Sequence, residues 1–232
     1  MFLNFMNKVK YFFQFILIIF IYSIFRILGV KMSSFIGGKL FELIGPFFRS
    51  EKVINKNIQR AFPNLDNEKM DKLKSSMWNN YGRVFAEYVF IKNFRNGELD
   101  KTITIEGGEI LNKIKNDNQK VVFISGHFSN FELMAMQIDK MGLKIAAIYR
   151  PLNNSFLNNV MEKIRKNYIC KYQVKKGIGG LKELIKLNRN GYSTALMIDQ
   201  RVSQGIKSVF FGEEAFTTTI PAQLAKKFNI PI

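Results

Sequence analysis

The sequence predicts an α/β fold: a mainly parallel sheet flanked by helices, with a hydrophobic membrane-anchor helix at the amino terminus. Three observations carry this. Beyond about residue 100, short β-branched and aromatic runs alternate with helix-length amphipathic stretches, the pattern of a parallel sheet covered on both faces. The first ninety residues carry helical periodicity instead. Near the start, Tyr11 to Phe25 contain no charge.

The anchor comes first. It follows Lys8 and Lys10, and its apolar character resumes past Arg26 through Val30 before Lys31, giving a segment of residues 1–31. Fifteen helical residues reach only about 22 Å, short of a hydrocarbon core of roughly 30 Å, whereas twenty would cross it if Arg26 snorkels. A cleaved signal peptide is the competing reading, with Ser33, Ser34 and Gly37 as small residues. The run is bulky and Phe-rich, and no clear A-x-A-like site follows, which favours an uncleaved anchor. Basic residues on both flanks leave a spanning helix and an interfacial insertion both open. Residues 33–49, interrupted by Gly37-Gly38, Gly45 and Pro46, read as a second amphipathic or re-entrant segment. Its Phe35, Phe41, Phe47 and Phe48 suit either the membrane or the core. Lys52–Ala61 and Glu68–Phe90 read as helices separated by Phe62-Pro63-Asn64.

Residues 32–232 read as one domain. Strands are expected at Thr102–Ile105, Val121–Ser125, Ile145–Tyr149, Tyr172–Lys175, Thr194–Ile198 and Ser208–Phe211. Helices are expected at Asn130–Met141, Asn154–Asn167, Gly180–Asn188 and Thr219–Phe228, with Asn229 suited to a C-cap region. Ile230-Pro231-Ile232 reads as the opening of a further strand, so the domain is expected to be incomplete at its carboxyl end.

Composition limits the function classes. A hydrophobic content of 47% with 14% aromatics supplies a sizeable core and argues against disorder. A net charge of +17 would draw the chain toward anionic membranes, nucleic acid or an acidic protein. The basic residues are spread along the chain without a nucleic-acid-binding motif, so no nucleic acid is expected. A single cysteine, Cys170, excludes an internal disulfide and a Cys-based zinc site, and a single histidine excludes the H-E-x-x-H arrangement. No metal site is expected. Cys170 reads as a buried structural thiol, although Lys171 beside it could depress its pKa.

That histidine, His127, directly follows the apolar run Val121-Val122-Phe123-Ile124-Ser125-Gly126. Polar residues just past the carboxyl end of a buried strand lie where open α/β sheets bind ligands. Glu132 is five residues further on. With His127 in a loop and Glu132 in the first helical turn, the carboxylate could fix the imidazole tautomer and leave the other nitrogen as a general base. Ser129-Asn130-Phe131-Glu132 is equally a capping box, in which Glu132 only satisfies backbone at a helix start. Arg150 follows the strand Ile145–Tyr149, and Asp199 with Gln200 follows Thr194–Ile198, which brings all three to the same edge. Arg150 as a surface residue before a Pro turn, and Asp199 as a loop cap, are the plainer readings. Lys175-Lys176-Gly177-Ile178-Gly179-Gly180 leads into a helix whose first amides could hold a phosphate, with Lys176 beside them. Arg201 could pair with Asp199 or with a phosphate.

Taken together, His127-Phe-Ser-Asn-Phe-Glu132, Tyr149-Arg150-Pro151-Leu152-Asn153-Asn154, Asp199-Gln200, and Phe210-Phe211-Gly212 followed by Thr217-Thr218-Thr219 resemble the lipid A biosynthesis acyltransferases. These belong to the wider H-x4-D/E glycerolipid acyltransferases. The resemblance extends from the anchor through Asn57 and Ala61-Phe62-Pro63 to the end of the chain. It implies transfer of a fatty acyl group from acyl carrier protein to a hydroxyl of a lipid A precursor, at the cytoplasmic face of the bacterial inner membrane. His127 and Glu132 would be catalytic, Arg150, Asp199, Gln200 and Lys176 would bind substrate, and no cofactor is implied beyond the carrier thioester. The implied partners are acyl carrier protein, anionic membrane lipids and the lipid A precursor. The family often has Gly and Trp at Ser129 and Phe131, and Gly at Ile220, departures that bear on pocket shape. No G-x-S-x-G elbow competes with the histidine. Acylation of another glycolipid, such as a phosphatidylinositol mannoside, and a non-catalytic basic membrane or nucleic-acid binding protein are the alternatives.

Overall fold

The computed structural model describes residues 2–200, 202–203 and 205–232. The chain divides into two compact units. One comprises residues up to 19, 91–200 and 218–232, and the other residues 20–90 and 201–217.

Helix α1 (Phe2–Ile44) is broken at Gly29, whose φ of 75° and ψ of 165° belong to a region that only glycine enters without strain. The break disturbs the backbone ladder, and the Ser33 hydroxyl donates to the Phe25 carbonyl at 2.7 Å. Helices α2 (Glu51–Ala61) and α3 (Asn67–Glu87) follow, the latter capped by Asp66, which accepts from the Lys69 amide. Segment 33–45 packs on α3 through its glycines. A methyl at Gly82 would collide with the Gly37 carbonyl, and one at Gly45 with the Trp78 ring. Phe41 lies on this packed side, 5.4 Å from the Phe85 ring, while Phe35, Phe47 and Phe48 are exposed.

The unit bearing the sheet runs through α4 (Ile91–Arg95), α5 (Gly108–Asn116), β1 (Val122–Ser125), α6 (Glu132–Lys140), β2 (Ile145–Tyr149), α7 (Ser155–Tyr168), β3 (Tyr172–Lys175), α8 (Ile178–Arg189) and β4 (Ser193–Met197). Then β5 (Ile206–Phe210) and β6 (Glu213–Thr217) form a hairpin in the other unit, and α9 (Ile220–Phe228) returns to the sheet. Among the described residues the sheet has the order β1-β4-β2-β3, with every pairing parallel. The two-residue period of a strand explains its two cores. Ile145 and Ala147 pack with Ile138, Leu143 and Cys170, whereas Ala146 and Ile148 pack with Val174, Leu184 and Leu187. Val122, Leu196 and Leu224 of α9 form a further cluster with Ile148. The chain is therefore α/β, with a parallel sheet covered by helices and a long apolar helix at its start.

Two sequence expectations are corrected. Thr102–Ile105 is not a strand: a short 3-10 turn over Asp100–Thr102 leads into irregular chain before α5. Alternating Thr and Ile have high strand propensity, but a strand also needs a neighbour to pair with, and α5 begins within three residues. Ser208–Phe211 does overlap a strand, β5, but it stands apart from the parallel sheet and pairs antiparallel with β6. The turn at Phe211 and Gly212 has φ of 50° and 74°, the doubly positive geometry that suits a two-residue hairpin. Strand β6, Glu-Glu-Ala-Phe-Thr, has too little apolar alternation to be read alone. Past α9, Asn229 adopts the left-handed C-cap conformation, and the Pro231 carbonyl accepts from the Val122 amide at 2.9 Å, beside β1.

Candidate active site

Because the four strands are parallel, the residues that follow them share one edge. In sheet order these are His127 after β1, Asp199 and Gln200 after β4, Arg150 after β2, and Lys176 after β3. Adjacent strands lie about 4.8 Å apart, so the row is compact.

The loop carrying His127 is tightly turned. Ser129 has a φ of 41°, Phe128 donates to the Gly126 carbonyl at 2.9 Å, and Phe131 donates to that of Ser129 at 3.0 Å. Gly126 is there for space: a Cβ would lie 2.8 Å from the Phe128 ring and 3.2 Å from Asp199 Oδ2. Asp199 grips His127 twice. The His127 backbone amide donates to Oδ2 at 2.7 Å, and the ring Nδ1 lies 2.7 Å from Oδ1. A carboxylate only accepts, so Nδ1 carries the proton and Nε2 presents its lone pair. Gln200 Nε2 stands 3.5 Å from that nitrogen, at the outer limit of a hydrogen bond, and Phe131 packs edge-on at 4.7 Å. Burial alone would raise the Asp199 pKa, but the hydrogen bonds from the His127 backbone and ring, joined by the ring's positive charge whenever it is protonated, outweigh it. The carboxyl sits below its ordinary value.

Glu132 does not take this role. It lies in the first turn of α6, is only 7% exposed, and pairs with Arg165 of α7, whose Nε donates to Oε1 at 2.8 Å while Nη2 closes the pair. It does not build a capping box either, since among the described residues no side chain caps α6. The reason is geometric: a residue on the inward face of a helix's first turn points into the protein, and a carboxylate there requires a buried cation. The Arg165 guanidinium also lies 5.7 Å from the Tyr149 ring at the end of β2, so one ion pair joins α6, α7 and the sheet. Arg165 went unnoticed in the sequence, although it offered a signal. It follows Leu157 and Met161 at four-residue spacing, a charge on the apolar face of its helix.

Arg150 is exposed at the carboxyl end of β2. Its loop is held by Asn158, whose Oδ1 accepts from the Leu152 amide at 2.9 Å. The Lys176 amide donates to the Tyr149 carbonyl at 2.8 Å, extending the β2–β3 ladder to the edge. In the glycine-rich turn, a Cβ at Gly180 would collide with the Lys175 carbonyl, so close helix–strand packing requires that glycine. Arg201 lies outside the described residues. Cys170 is buried, and desolvation pushes its thiol up to about 12, so Lys171 does not activate it.

On the α5–α6 side of the sheet, an apolar cavity of about 480 Å³ is lined by Ile103, Ile105, Ile110, Phe123, Leu133 and Met134 among others. Leu133 and Met134 directly follow Glu132.

A model of the bacterial lipid A biosynthesis acyltransferase family matches residues 2–232. The chain is 26% identical over 141 residues to a lipid A biosynthesis palmitoleoyltransferase of Escherichia coli (strain K12), and equally to a lipid A biosynthesis acyltransferase of Shigella flexneri. Each match covers 60% of this chain and 45% of the relative. A second Shigella flexneri protein, lipid A biosynthesis acyltransferase 2, is 26% identical over 103 residues, covering 44% of this chain and 32% of its own length. The matched segment thus spans under half the length of these relatives.

Proposed function

Since the chain belongs to the bacterial lipid A biosynthesis acyltransferase family, we propose that it transfers a fatty acyl group from acyl carrier protein to a hydroxyl of a lipid A precursor. The observation that carries this reading is the 2.7 Å contact between His127 Nδ1 and Asp199 Oδ1, which leaves Nε2 at the open edge as a base. The acceptor hydroxyl attacks the thioester carbonyl while Nε2 takes its proton. The tetrahedral intermediate then collapses, the C–S bond breaks, and the proton passes from imidazolium to the departing thiolate. Asp199 holds the tautomer and stabilises the imidazolium. No cofactor beyond the carrier thioester is needed.

Arg150 and Lys176 supply positive charge along the same edge for phosphates of the acceptor or for the developing oxyanion, and Gln200 flanks the base. Glu132 acts at one remove, through Arg165, by fixing the helix that follows the histidine loop. The apolar cavity beside α6 suits an acyl chain. Residues 1–31 serve as the membrane anchor and residues 32–232 as the acyltransferase domain, with the catalytic face toward the cytoplasm at the inner membrane. A helix long and apolar enough to cross a bilayer supports the anchor, and a charge of +17 suits both anionic lipid and an acidic carrier protein.

The test is acyl transfer in detergent from carrier-protein thioesters to a Kdo-bearing tetraacylated lipid A precursor, with a phosphatidylinositol mannoside as competing acceptor. His127→Ala should lose at least about 100-fold in kcat, the scale of a removed general base. A folded but inert wild type, or an equally active variant, would overturn the acceptor or the base respectively.

A further inference from the structure

Within the unit that carries the site, the apolar helix is latched to the Arg150 loop. Asn154 is 7% exposed. Its Oδ1 accepts from the amides of Phe156 and Leu157 at 3.1 and 3.3 Å, capping α7, and its Nδ2 donates to the Tyr11 carbonyl of α1 at 2.8 Å. The Phe156 ring lies 5.8 Å from that of Phe12 and 5.9 Å from that of Phe15. Leu152 and Phe156 nevertheless keep exposed apolar surface, as do Phe12, Phe13 and Ile16, while Lys8, Lys10 and Arg150 are exposed cations.

These contacts set a depth. Ammonium groups stay out of hydrocarbon, so Lys8 and Lys10 mark the headgroup layer wherever α1 enters a bilayer, and Tyr11 beside them is an interfacial residue. Asn154 is bonded at the level of Tyr11, and Phe156 packs against the turn that follows.

We propose that the Arg150–Asn154 loop and the first turn of α7 form a second membrane-contact element. Leu152 and Phe156 sit at the upper boundary of the acyl chains of an anionic bilayer, and Arg150 sits among the headgroup phosphates. This rests on the reading that α1 inserts in a membrane. Its consequence for the proposed reaction is that a lipid phosphate reaches Arg150 sideways from the bilayer rather than from water. Charge complementarity favours lipid as the occupant, because the exposed apolar side chains are accompanied by three cations.

The test is fluorescence depth measurement on the full chain in vesicles of phosphatidylethanolamine with phosphatidylglycerol. Trp78 is the one tryptophan, so Trp78→Phe supplies a dark background for Phe156→Trp, Leu152→Trp as a second reporter, and Phe13→Trp as an anchor control. Both loop reporters should lose most of their emission to a quencher on the lipid near the glycerol, lose less to one near the chain end, and gain protection from iodide. Quenching of Phe13→Trp alone would overturn the proposal while leaving the anchor intact. Quenching of none would overturn both the proposal and the membrane reading, and neither outcome bears on acyl transfer in detergent.

Discussion

At the residue scale, the double grip of Asp199 on His127 is the feature with the most direct chemical consequence. Asp199→Asn keeps the shape but can place an amide donor against Nδ1, which favours the tautomer with the proton on Nε2, the wrong one for a base. Activity should fall by about 100-fold or more at neutral pH, measured as kcat with saturating thioester, with KM much less affected. The depressed Asp199 pKa has a definite sign. The tether's contribution is present above the carboxyl's unfolded value and is lost only as pH falls through the lower folded value, so acid should disrupt it below the ordinary aspartate range. An NMR titration of the Asp199 carboxyl would follow this, and a midpoint above the ordinary value would contradict the geometry. Cys170 sits at the opposite extreme. With its thiol pushed up to about 12 by burial, it should resist iodoacetamide at pH 8 until the protein is unfolded.

At the scale of elements, the Glu132–Arg165 pair decides how α6 stands on α7. Removing the guanidinium strands the buried Glu132 carboxylate, so Arg165→Met should cost about 3–5 kcal/mol in urea unfolding. The double replacement Glu132→Leu with Arg165→Met should recover much of that loss. If Glu132 acts only by holding the helix, the double variant should also keep transfer activity within about tenfold of wild type, because core positions tolerate apolar replacement of similar volume. An inactive but fully folded double variant would return Glu132 to the chemistry. In the other unit, Gly82→Ala should separate α3 from segment 33–45, because the added methyl meets the Gly37 carbonyl. A drop in Tm larger than that of Ala at exposed helix positions would register it.

For the whole molecule, a charge of +17 on a chain that opens with an apolar helix predicts adsorption to anionic vesicles that weakens with salt but is not abolished, since screening removes the Coulombic share and leaves the apolar one. Cosedimentation across a salt series would check it. Much of the architecture was legible because it is written in short windows. Ile145–Tyr149 is a strand as read, since burial on both faces leaves a continuous apolar signature. Tyr172–Lys175, at the sheet's end, is one too although its Gln and Lys break the apolar run, and the carboxyl-end rule brought His127, Arg150, Asp199 and Gln200 to one edge. The limit of local reading shows at Thr102–Ile105, where strand propensity had no neighbour, and at Glu132, where proximity along the chain suggested a partnership that the fold gives to another residue. Asp199 meets His127 across 72 positions because β4 pairs directly with β1, whereas β2, nearer in sequence, does not. By itself, then, the sequence determined most of the elements and the edge on which the strand ends gather, because periodicity and strand burial act over a few residues. Only the tertiary structure decided which carboxylate holds the histidine and which is locked beneath it by Arg165, because strand order and helix facing follow from packing among residues far apart in the chain.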